Sequence, residues 1–135
     1  MDELKFAVIG NPVSHSLSPD IHLFFASQFQ LERYTYKKIK SNENDFERDI
    51  NDFFKKGGVG LNVTVPFKGL AYNLCDKLDK SAVQCKSVNT ILIESDKLIG
   101  HSTDGQGLID DFLDKEITLE DSKICLLYTS PSPRD

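Results

Sequence analysis

The sequence predicts an α/β fold of three layers, in which a mostly parallel sheet is flanked by helices and a β-hairpin adds an antiparallel strand. Two observations carry this prediction. Short apolar runs alternate along the chain with segments of helical periodicity, which is typical of parallel strands joined by helical crossovers. Two later runs, 88–93 and 97–100, flank Glu94-Ser95-Asp96 and are typical of a hairpin.

The first strand and the first helix are predicted near the start of the chain. The run Phe6-Ala7-Val8-Ile9 within 4–10 stops at Gly10-Asn11-Pro12, as a strand buried on both faces does. Ser18-Pro19 then has the residue types of a helix N-cap and a first helical position. The apolar residues that follow at helical spacing predict an amphipathic helix: Ile21, Phe24, Phe25 and Phe29.

A strand, a helix and a further strand are predicted next. Alternation from 34 to 40 predicts a strand near a sheet edge, with Tyr34 and Tyr36 on one side. A helical repeat of apolar residues ends in Lys55-Lys56-Gly57-Gly58 and predicts the second helix. The segment 59–65 predicts a strand closed by Pro66. The repeat of the second helix consists of Phe46, Ile50, Phe53 and Phe54.

Two helices and a final strand complete the predicted elements. A helix carrying Leu70, Ala71 and Leu74 follows Pro66, and another begins near Gly105. The apolar segment 123–127 is typical of the opening of a further strand. The helix near Gly105 is marked by Leu108, Ile109, Phe112 and Leu113.

Composition excludes several classes of protein. The chain has 135 residues, and its 39% hydrophobic content is enough for one globular domain with a core. The net charge of −5 argues against a nucleic-acid partner, because phosphate binding requires clustered cations. No apolar run is long enough to span a bilayer and no signal peptide is evident, so we expect no membrane partner and a cytoplasmic location.

Cysteines and histidines do not predict a metal site. The three cysteines are odd in number and never spaced as C-x-x-C, which favours reduced structural thiols. The histidines share no metal-ligand spacing, so we assign no histidine a catalytic role and expect no metal. These residues are Cys75, Cys85 and Cys125, and His15, His22 and His101.

Two loops that follow parallel strands carry unusual polar residues, and ligands of open α/β sheets bind outside such strand ends. In the first, Ser14-His15-Ser16-Leu17-Ser18 brings three hydroxyls to the start of a helix, which favours a carboxylate or phosphate. The alternative is that Ser18 only caps the helix and the other residues are solvated.

The second polar loop follows the strand 59–65. Asn62 and Thr64 share one face of that strand, opposite Leu61, Val63 and Val65, which can be buried. We expect Asn62 to support Thr64. Lys68 comes after the rigid Pro66-Phe67 turn and so lies close to this polar face. The alternative is an ordinary surface lysine.

A carboxylate follows the predicted hairpin. The segment His101-Ser102-Thr103-Asp104-Gly105 brings Asp104 to the end of the hairpin and the start of a helix. The alternative is plain turn and cap chemistry.

Four motifs in order give the chain a family resemblance. They are Gly10-Asn11-Pro12-Val13-Ser14-His15-Ser16-Leu17-Ser18-Pro19 with His22, Asn62-Val63-Thr64-Val65-Pro66-Phe67-Lys68, Ser87-Val88-Asn89-Thr90, and Thr103-Asp104-Gly105. On these motifs the chain resembles the N-terminal substrate-binding domain of shikimate dehydrogenases over about residues 4–127.

The resemblance implies an activity and a set of site residues. The implied activity is the NADP-dependent reduction of 3-dehydroshikimate to shikimate in aromatic amino acid biosynthesis, in an enzyme that is a possible homodimer. Ser16 and Ser18 would hold the substrate carboxylate. Lys68 and Asp104 would be catalytic, with Lys68 as the acid or base and Asp104 tuning and aiming its ammonium. The ring hydroxyls and the reacting oxygen would be held by Thr64, Lys68, Asn89 and Asp104.

The sequence departs from the family pattern at two positions. Leu23 and Ser102 stand where the family usually has asparagine. Neither position is catalytic in the family. Ser102 lies at the end of the predicted hairpin, next to the segment that carries Asp104.

The resemblance also implies a domain organisation. We expect the substrate-binding domain over 1–119 and the start of a truncated NADP-binding Rossmann domain over 120–127. A Gly-x-Gly loop should follow that strand, but Ser-Pro-Ser-Pro appears instead, so we expect 128–135 to be a non-native tail. The alternative is a natural short protein with a disordered end. With the cofactor domain missing, we expect the 135-residue chain to be inactive.

Other functions remain open at this point. The chain could be a stand-alone binding module for shikimate-like hydroxy acids without redox activity. Within the enzyme class, an NAD-dependent quinate/shikimate dehydrogenase is an alternative, because the choice of cofactor lies in the second domain. A further alternative is another two-domain dehydrogenase of similar layout. The serine-rich first loop argues against it, because that loop favours a carboxylate substrate.

Overall fold

The structure is a computed structural model that describes residues 3–125. Contacts divide the chain into two compact units, one ending at Gly105 and one starting at Gln106. The strands are β1 (Leu4–Gly10), β2 (Tyr34–Lys40), β3 (Gly58–Val63), β4 (Lys77–Leu78), β5 (Thr90–Glu94) and β6 (Lys97–His101). The helices are α1 (Ser18–Gln28), α2 (Phe46–Lys55), α3 (Lys68–Leu74), α4 (Lys80–Cys85) and α5 (Asp104–Asp114).

The first unit contains a mixed sheet with the strand order β2-β1-β3-β5-β6-β4. Strand β1 pairs in parallel with both β2 and β3, and β6 pairs in parallel with β4. Strand β5 is antiparallel to β3 and to β6. The predicted fold class, a mostly parallel sheet with helices and an antiparallel hairpin, is confirmed, and β2 lies at the sheet edge as predicted.

The main core lies on one face of the sheet. Alternate residues of β1 and β3 point to this face and pack against α2 and α3. Each valine, leucine, isoleucine or phenylalanine side chain among them contributes roughly 1.5–3 kcal/mol when it is fully removed from water. The central residues of this core are Ala7, Ile9, Leu61 and Val63 from the strands, with Phe46, Ile50, Phe54 and Ala71 from the helices.

The opposite face of the sheet carries a smaller cluster and the polar residues. Val8, Val13 and Tyr36 are buried together there. Residues Asn62 and Thr64 point to this second face, as predicted. Val65 was expected to be buried with the core, but it is 61% exposed because β3 already ends at Val63.

Helix α1 differs from its prediction in two ways. Its cap residue is Leu17 rather than Ser18, and the Ser18 amide donates to Ser16 Oγ at 3.3 Å, so the hydroxyl at the helix start comes from Ser16. The predicted amphipathic packing is also wrong. Within the described residues the helix buries only Ala26, and its large apolar side chains are between 45% and 77% exposed just before, along and after it: Leu17, Ile21, Leu23, Phe24, Phe25 and Phe29.

Two short elements, β4 and α4, have no counterpart in the sequence prediction, since two and six residues are too few for a clear periodicity. The predicted strand over 123–127 is absent from its described part, 123–125, and its last two residues lie outside the described range. The predicted tail 128–135 lies outside that range as well. Among residues 3–125 no helix is long and apolar enough to cross a membrane.

Candidate functional site

The predicted site residues lie together at the carboxyl ends of the parallel strands. The loop carrying Ser16 and Ser18 follows β1, and Thr64 and Lys68 follow β3, so both lie at the carboxyl ends of parallel strands. Asn89 precedes β5, which runs antiparallel to β3 and therefore begins where β3 ends. Asp104 follows β6, which is antiparallel to β5 and therefore ends where β5 begins.

Lys68 and Asp104 form an ion pair at these strand ends. Lys68 Nζ lies 2.6 Å from Asp104 Oδ2, with the side chains 30% and 56% exposed. The backbone around Lys68 is fixed on both sides. The buried Phe67 donates its amide to the Thr64 carbonyl at 3.1 Å, and the Lys68 carbonyl accepts the Val88 amide at 3.0 Å.

Asn89 holds the other oxygen of this carboxylate. The Asn89 side chain is only 9% exposed, and its Nδ2 donates to Asp104 Oδ1 at 2.8 Å and to Thr103 Oγ1 at 2.9 Å. Its Oδ1 accepts the Thr103 amide at 3.1 Å and the Thr90 hydroxyl at 3.0 Å. Because both ends of the Asn89 amide are engaged, its orientation is fixed and it fixes Asp104 in turn.

Asp104 is held in its charged form. Burial of the carboxyl opposes ionisation, but the hydrogen bonds from Lys68 and Asn89 and the Lys68 charge outweigh burial, so the pKa of Asp104 lies below its ordinary value. The site therefore presents a carboxylate to Lys68 Nζ at neutral pH.

Ser102, at one of the two positions that depart from the family pattern, is integrated into the hairpin end. It is 4% exposed, and its amide donates to Ser81 Oγ at 3.1 Å. Ser81 is anchored by Asp79, whose carboxylate accepts the Ser81 amide and hydroxyl at 2.8 and 2.6 Å. Helix α4 thus supports the segment that leads to Asp104.

Thr64 packs against the end of β1. An added Cβ at Gly10 would collide with Thr64 Cγ2, so the close approach of Thr64 favours a glycine at this position. The backbone of Thr64 is held by β1, since its amide donates to the Ile9 carbonyl at 2.9 Å.

The two serines of the first loop lie side by side. Ser16 Oγ and Ser18 Oγ are 3.1 Å apart and hydrogen bonded at the start of the 11-residue helix α1. Two hydroxyls at a helix N-terminus suit a carboxylate, because the first amides of the helix and its dipole favour negative charge.

The sequence analysis assigned no role to three residues that hydrogen bond to Asn62 or Asn89. These are Tyr36, Thr90 and Thr103. Asn62, expected to support Thr64, instead accepts from the Tyr36 hydroxyl at 2.7 Å and donates to Thr90 Oγ1 at 3.2 Å. Strand alternation did assign Tyr36 to one side of β2. Only the sheet order reveals that this side is the one that carries Asn62.

No cofactor or metal site is evident in the part of the chain that the structure describes. Within it, no group of three His, Cys, Asp or Glu side chains could hold a metal ion. A Rossmann-type dinucleotide site has a glycine-rich turn between a strand and a helix. Gly58-Val59-Gly60 instead lies within β3 against the rings of Phe53 and Phe6, and Gly105-Gln106-Gly107 lies within α5. Residues 3–125 therefore do not fit NADP.

Comparison with known proteins gives a consistent family. The model of the shikimate dehydrogenase substrate binding domain matches residues 8–91. The chain is 45% identical over 130 residues to the shikimate dehydrogenase (NADP(+)) of Acinetobacter baumannii strain ACICU, covering 96% of this chain and 49% of that protein. It is 46% identical over 130 residues to the corresponding protein of Legionella pneumophila strain Lens, covering 96% and 48%.

Solved structures agree with these relatives. The shikimate 5-dehydrogenase of Thermus thermophilus, crystallised in complex with shikimate, superposes with a TM-score of 0.81 at 30% identity. The match covers 88% of this chain and 45% of that one. The chain thus spans about half the length of the curated relatives it matches.

Proposed function

Because the chain belongs to the shikimate dehydrogenase substrate-binding domain family, we propose that it forms the substrate half of an NADP-dependent shikimate dehydrogenase. The proposed reaction is the reduction of 3-dehydroshikimate to shikimate. The observation that carries the proposal is the Lys68–Asp104 pair at 2.6 Å, oriented by Asn89 and flanked by hydroxyl side chains. A proton donor and hydroxyl-binding groups are what a ketone substrate with ring hydroxyls requires.

Substrate binding is proposed to begin at the serine loop. Ser16 and Ser18 would donate hydrogen bonds to the substrate carboxylate at the start of α1, where the helix dipole adds to their effect. Thr64 and Asn89 would bind ring hydroxyls. With the carboxylate at one end and these hydroxyls at the other, the ring lies across the strand ends with its reacting oxygen near Lys68.

The chemical role of this chain is proposed to be proton transfer at the reacting oxygen. As the carbonyl oxygen gains negative charge, Lys68 Nζ gives it a proton and becomes a neutral amine, which takes a proton back from solvent. Asp104 keeps the ammonium aimed at that oxygen. In the reverse direction the neutral amine accepts the hydroxyl proton. NADP supplies the hydride when bound, and since residues 3–125 do not fit it, no residue of this chain is assigned to that step.

The domain prediction remains part of this proposal. The substrate-binding domain would occupy 1–119, and 120–127 would begin the cofactor-binding domain. Two further predictions also concern the full-length protein. One is a possible homodimer, and the other is that the enzyme is an NAD-dependent quinate/shikimate dehydrogenase.

A second candidate is a stand-alone binding module for shikimate-like hydroxy acids. The observation in favour of this module is that the side chains of the site are already paired, while the described residues contain no dinucleotide loop.

Mixing the 135-residue chain with NADPH and 3-dehydroshikimate tests whether the chain has redox activity. We expect no consumption of NADPH beyond the buffer rate, and measurable turnover would contradict the predicted inactivity of this chain.

The test of the proposed binding site is calorimetric titration of the chain with shikimate and with shikimate methyl ester. We expect shikimate to bind, and the ester to bind at least tenfold more weakly, because the ester lacks the charge that the serines recognise. Ser16→Ala should weaken shikimate binding about tenfold. Ser27→Ala, which removes an exposed hydroxyl of the same helix, should not. Equal affinity for acid and ester would contradict the proposed carboxylate site.

A further inference from the structure

A lysine of the edge strand β2 reaches the serine loop, residues 11–18. Lys38 Nζ donates a hydrogen bond to the Ser14 carbonyl at 2.6 Å, across 24 positions of sequence. Ser14 lies two residues before Ser16, whose hydroxyl is proposed to bind the substrate carboxylate. The lysine side chain is therefore held on the same loop that carries the proposed carboxylate site.

The strand register places Lys38 on the side of the sheet that carries this loop. In the parallel pair of β1 and β2, Lys38 lies opposite Val8, and Val8 packs with Val13 of the serine loop. The preceding residue, Lys37, lies opposite Ala7, which belongs to the main core on the other face. Since neighbouring residues of a strand point to opposite faces, these two lysines lie on opposite sides of the sheet.

The backbone of the loop is held by groups other than the lysine. Val13 is 5% exposed, and its carbonyl accepts the Ser16 amide at 3.1 Å. The Ser18 amide donates to Ser16 Oγ at 3.3 Å. Because the chain is fixed before and after Ser14, the loop does not depend on Lys38 for its shape. What the lysine adds at this place is a positive charge.

The charges at the loop bear on the ligand that it favours. The serine hydroxyls are neutral, and each can donate to the oxygen of an acid or of an ester. Asp20, in the first turn of α1, adds a negative charge that opposes an anion. Lys38 opposes the effect of Asp20. Its acceptor is a backbone carbonyl, so its hydrogen bond leaves both serine hydroxyls to the ligand.

We propose that Lys38 is a specificity-determining residue for the substrate carboxylate: held on the serine loop by the Ser14 carbonyl, it supplies a positive charge that strengthens the preference for an acid over its neutral ester. This inference rests on the proposed function. It deepens that function by adding a cation to the hydroxyls of Ser16 and Ser18, which supply the hydrogen bonds.

The test compares Lys38→Met with the matched variant Lys37→Met by calorimetric titration with shikimate and its methyl ester. Both lysines are exposed and lie on β2, so each variant loses one positive charge from the same strand. At an ionic strength of about 0.01 M we expect the ratio of shikimate to ester affinity to fall about fivefold in Lys38→Met, because only the acid interacts with the charge. The ratio should change less than about twofold in Lys37→Met. It should be retained in Lys38→Arg, which keeps the charge.

The ratio separates the charge of Lys38 from a general loss of structure, which lowers both affinities together. Salt gives a second readout, since it screens an exposed charge. At an ionic strength of about 0.15 M the ratio of Lys38→Met should lie closer to that of the unsubstituted chain. Equal ratios in Lys38→Met and Lys37→Met, or a difference that salt does not reduce, would overturn the proposal while the proposed function stood. No shikimate binding by the unsubstituted chain would overturn both.

A measurement on the unsubstituted chain covers the case in which Lys38→Met does not fold. The chain labelled with carbon-13 at the Cε atoms of lysine is titrated with shikimate and with its methyl ester and observed by NMR. We expect shikimate to shift the Lys38 signal further than the ester does, and the Lys37 signal to stay. A Lys38 signal that is unmoved at saturating shikimate, or that moves equally with the ester, would overturn the role of its charge.

Discussion

Replacing Asn89 by alanine tests the support of the ion pair most sharply. The Asn89 side chain is 9% exposed and makes four hydrogen bonds of 2.8–3.1 Å, with Thr90, with Asp104 and twice with Thr103. Each such bond contributes about 0.5–1.5 kcal/mol net. Asp104 and Thr103 are exposed enough for water to replace part of the loss. We therefore expect the free energy of unfolding to fall by about 2 kcal/mol, not by the full sum.

The assay is urea unfolding of the chain at neutral pH, followed by circular dichroism. A loss of about 2 kcal/mol raises the unfolding equilibrium constant about 30-fold. The matched control is Asn73→Ala, because Asn73 is an exposed asparagine on α3. It should change the free energy of unfolding by no more than about 0.5 kcal/mol. If Asn89→Ala were as stable as Asn73→Ala, the reasoning on buried hydrogen bonds at this site would be refuted.

Three further predictions concern the same site. Asp104→Asn should be less stable than the unsubstituted chain at neutral pH, because a lowered pKa contributes stability that is fully present above the unfolded carboxyl value of about 4. In urea unfolding from pH 7 to pH 2 the difference should begin to shrink near pH 4 and be lost as pH falls through the lowered pKa of Asp104; a constant difference would contradict the pairing. Gly10→Ala should lower the free energy of unfolding by about 1–3 kcal/mol, because the added Cβ collides with Thr64. Gly69→Ala, where no atom lies within 4 Å of the added Cβ, should be nearly neutral in the same urea assay, and equal effects of the two substitutions would refute the close approach at Gly10. Where the chain is joined to a cofactor domain and turns over, Lys68→Ala should lower kcat about 10²- to 10⁴-fold; a smaller loss in steady-state kinetics would exclude Lys68 as the proton donor.

Much of the fold could be predicted from the sequence because its strands and long helices have clear periods. The apolar run ending at Gly10 and the repeat of α2 match the structure within a residue. Helix α1 lies where it was predicted, but the packing of its apolar side chains was mispredicted, because spacing alone does not say whether an apolar face has a partner. Its Phe24 and Phe29 are 60% and 77% exposed within the described chain. Helix α4 was missed because six residues give no clear pattern.

The candidate site was predictable where a motif carried it. Asn89, Lys68 and Asp104 lie in three separate motifs, and the structure brings both Lys68 and Asn89 within hydrogen-bonding distance of Asp104. Tyr36 and Thr90 could not be assigned in this way, because their partners come from other strands of the sheet. Whether Tyr36 faces Asn62 depends on β1 lying between β2 and β3, which is a property of the sheet order.

A groove with several basic side chains lies elsewhere on the first unit. It has a volume of about 430 Å³ and is lined by residues of β1, β2 and α2. Two carboxylates, Asp49 and Asp52, also line it, which weakens its attraction for an anion. Its basic lining residues are Lys5, Lys37, Lys40 and Lys56, and its apolar lining residues are Phe6, Ile39 and Phe53.

Titration of the isotope-labelled 135-residue chain with shikimate, followed by amide NMR, shows where shikimate binds. We expect the shifts to concentrate at the serine loop and at the strand ends, in Ser16, Ser18, Thr64, Lys68 and Asn89. The amide signals of Lys37 and Lys56 in the basic groove should stay unchanged. Shifts confined to that groove, or no shifts at millimolar shikimate, would contradict the claim that these residues form a shikimate-binding site.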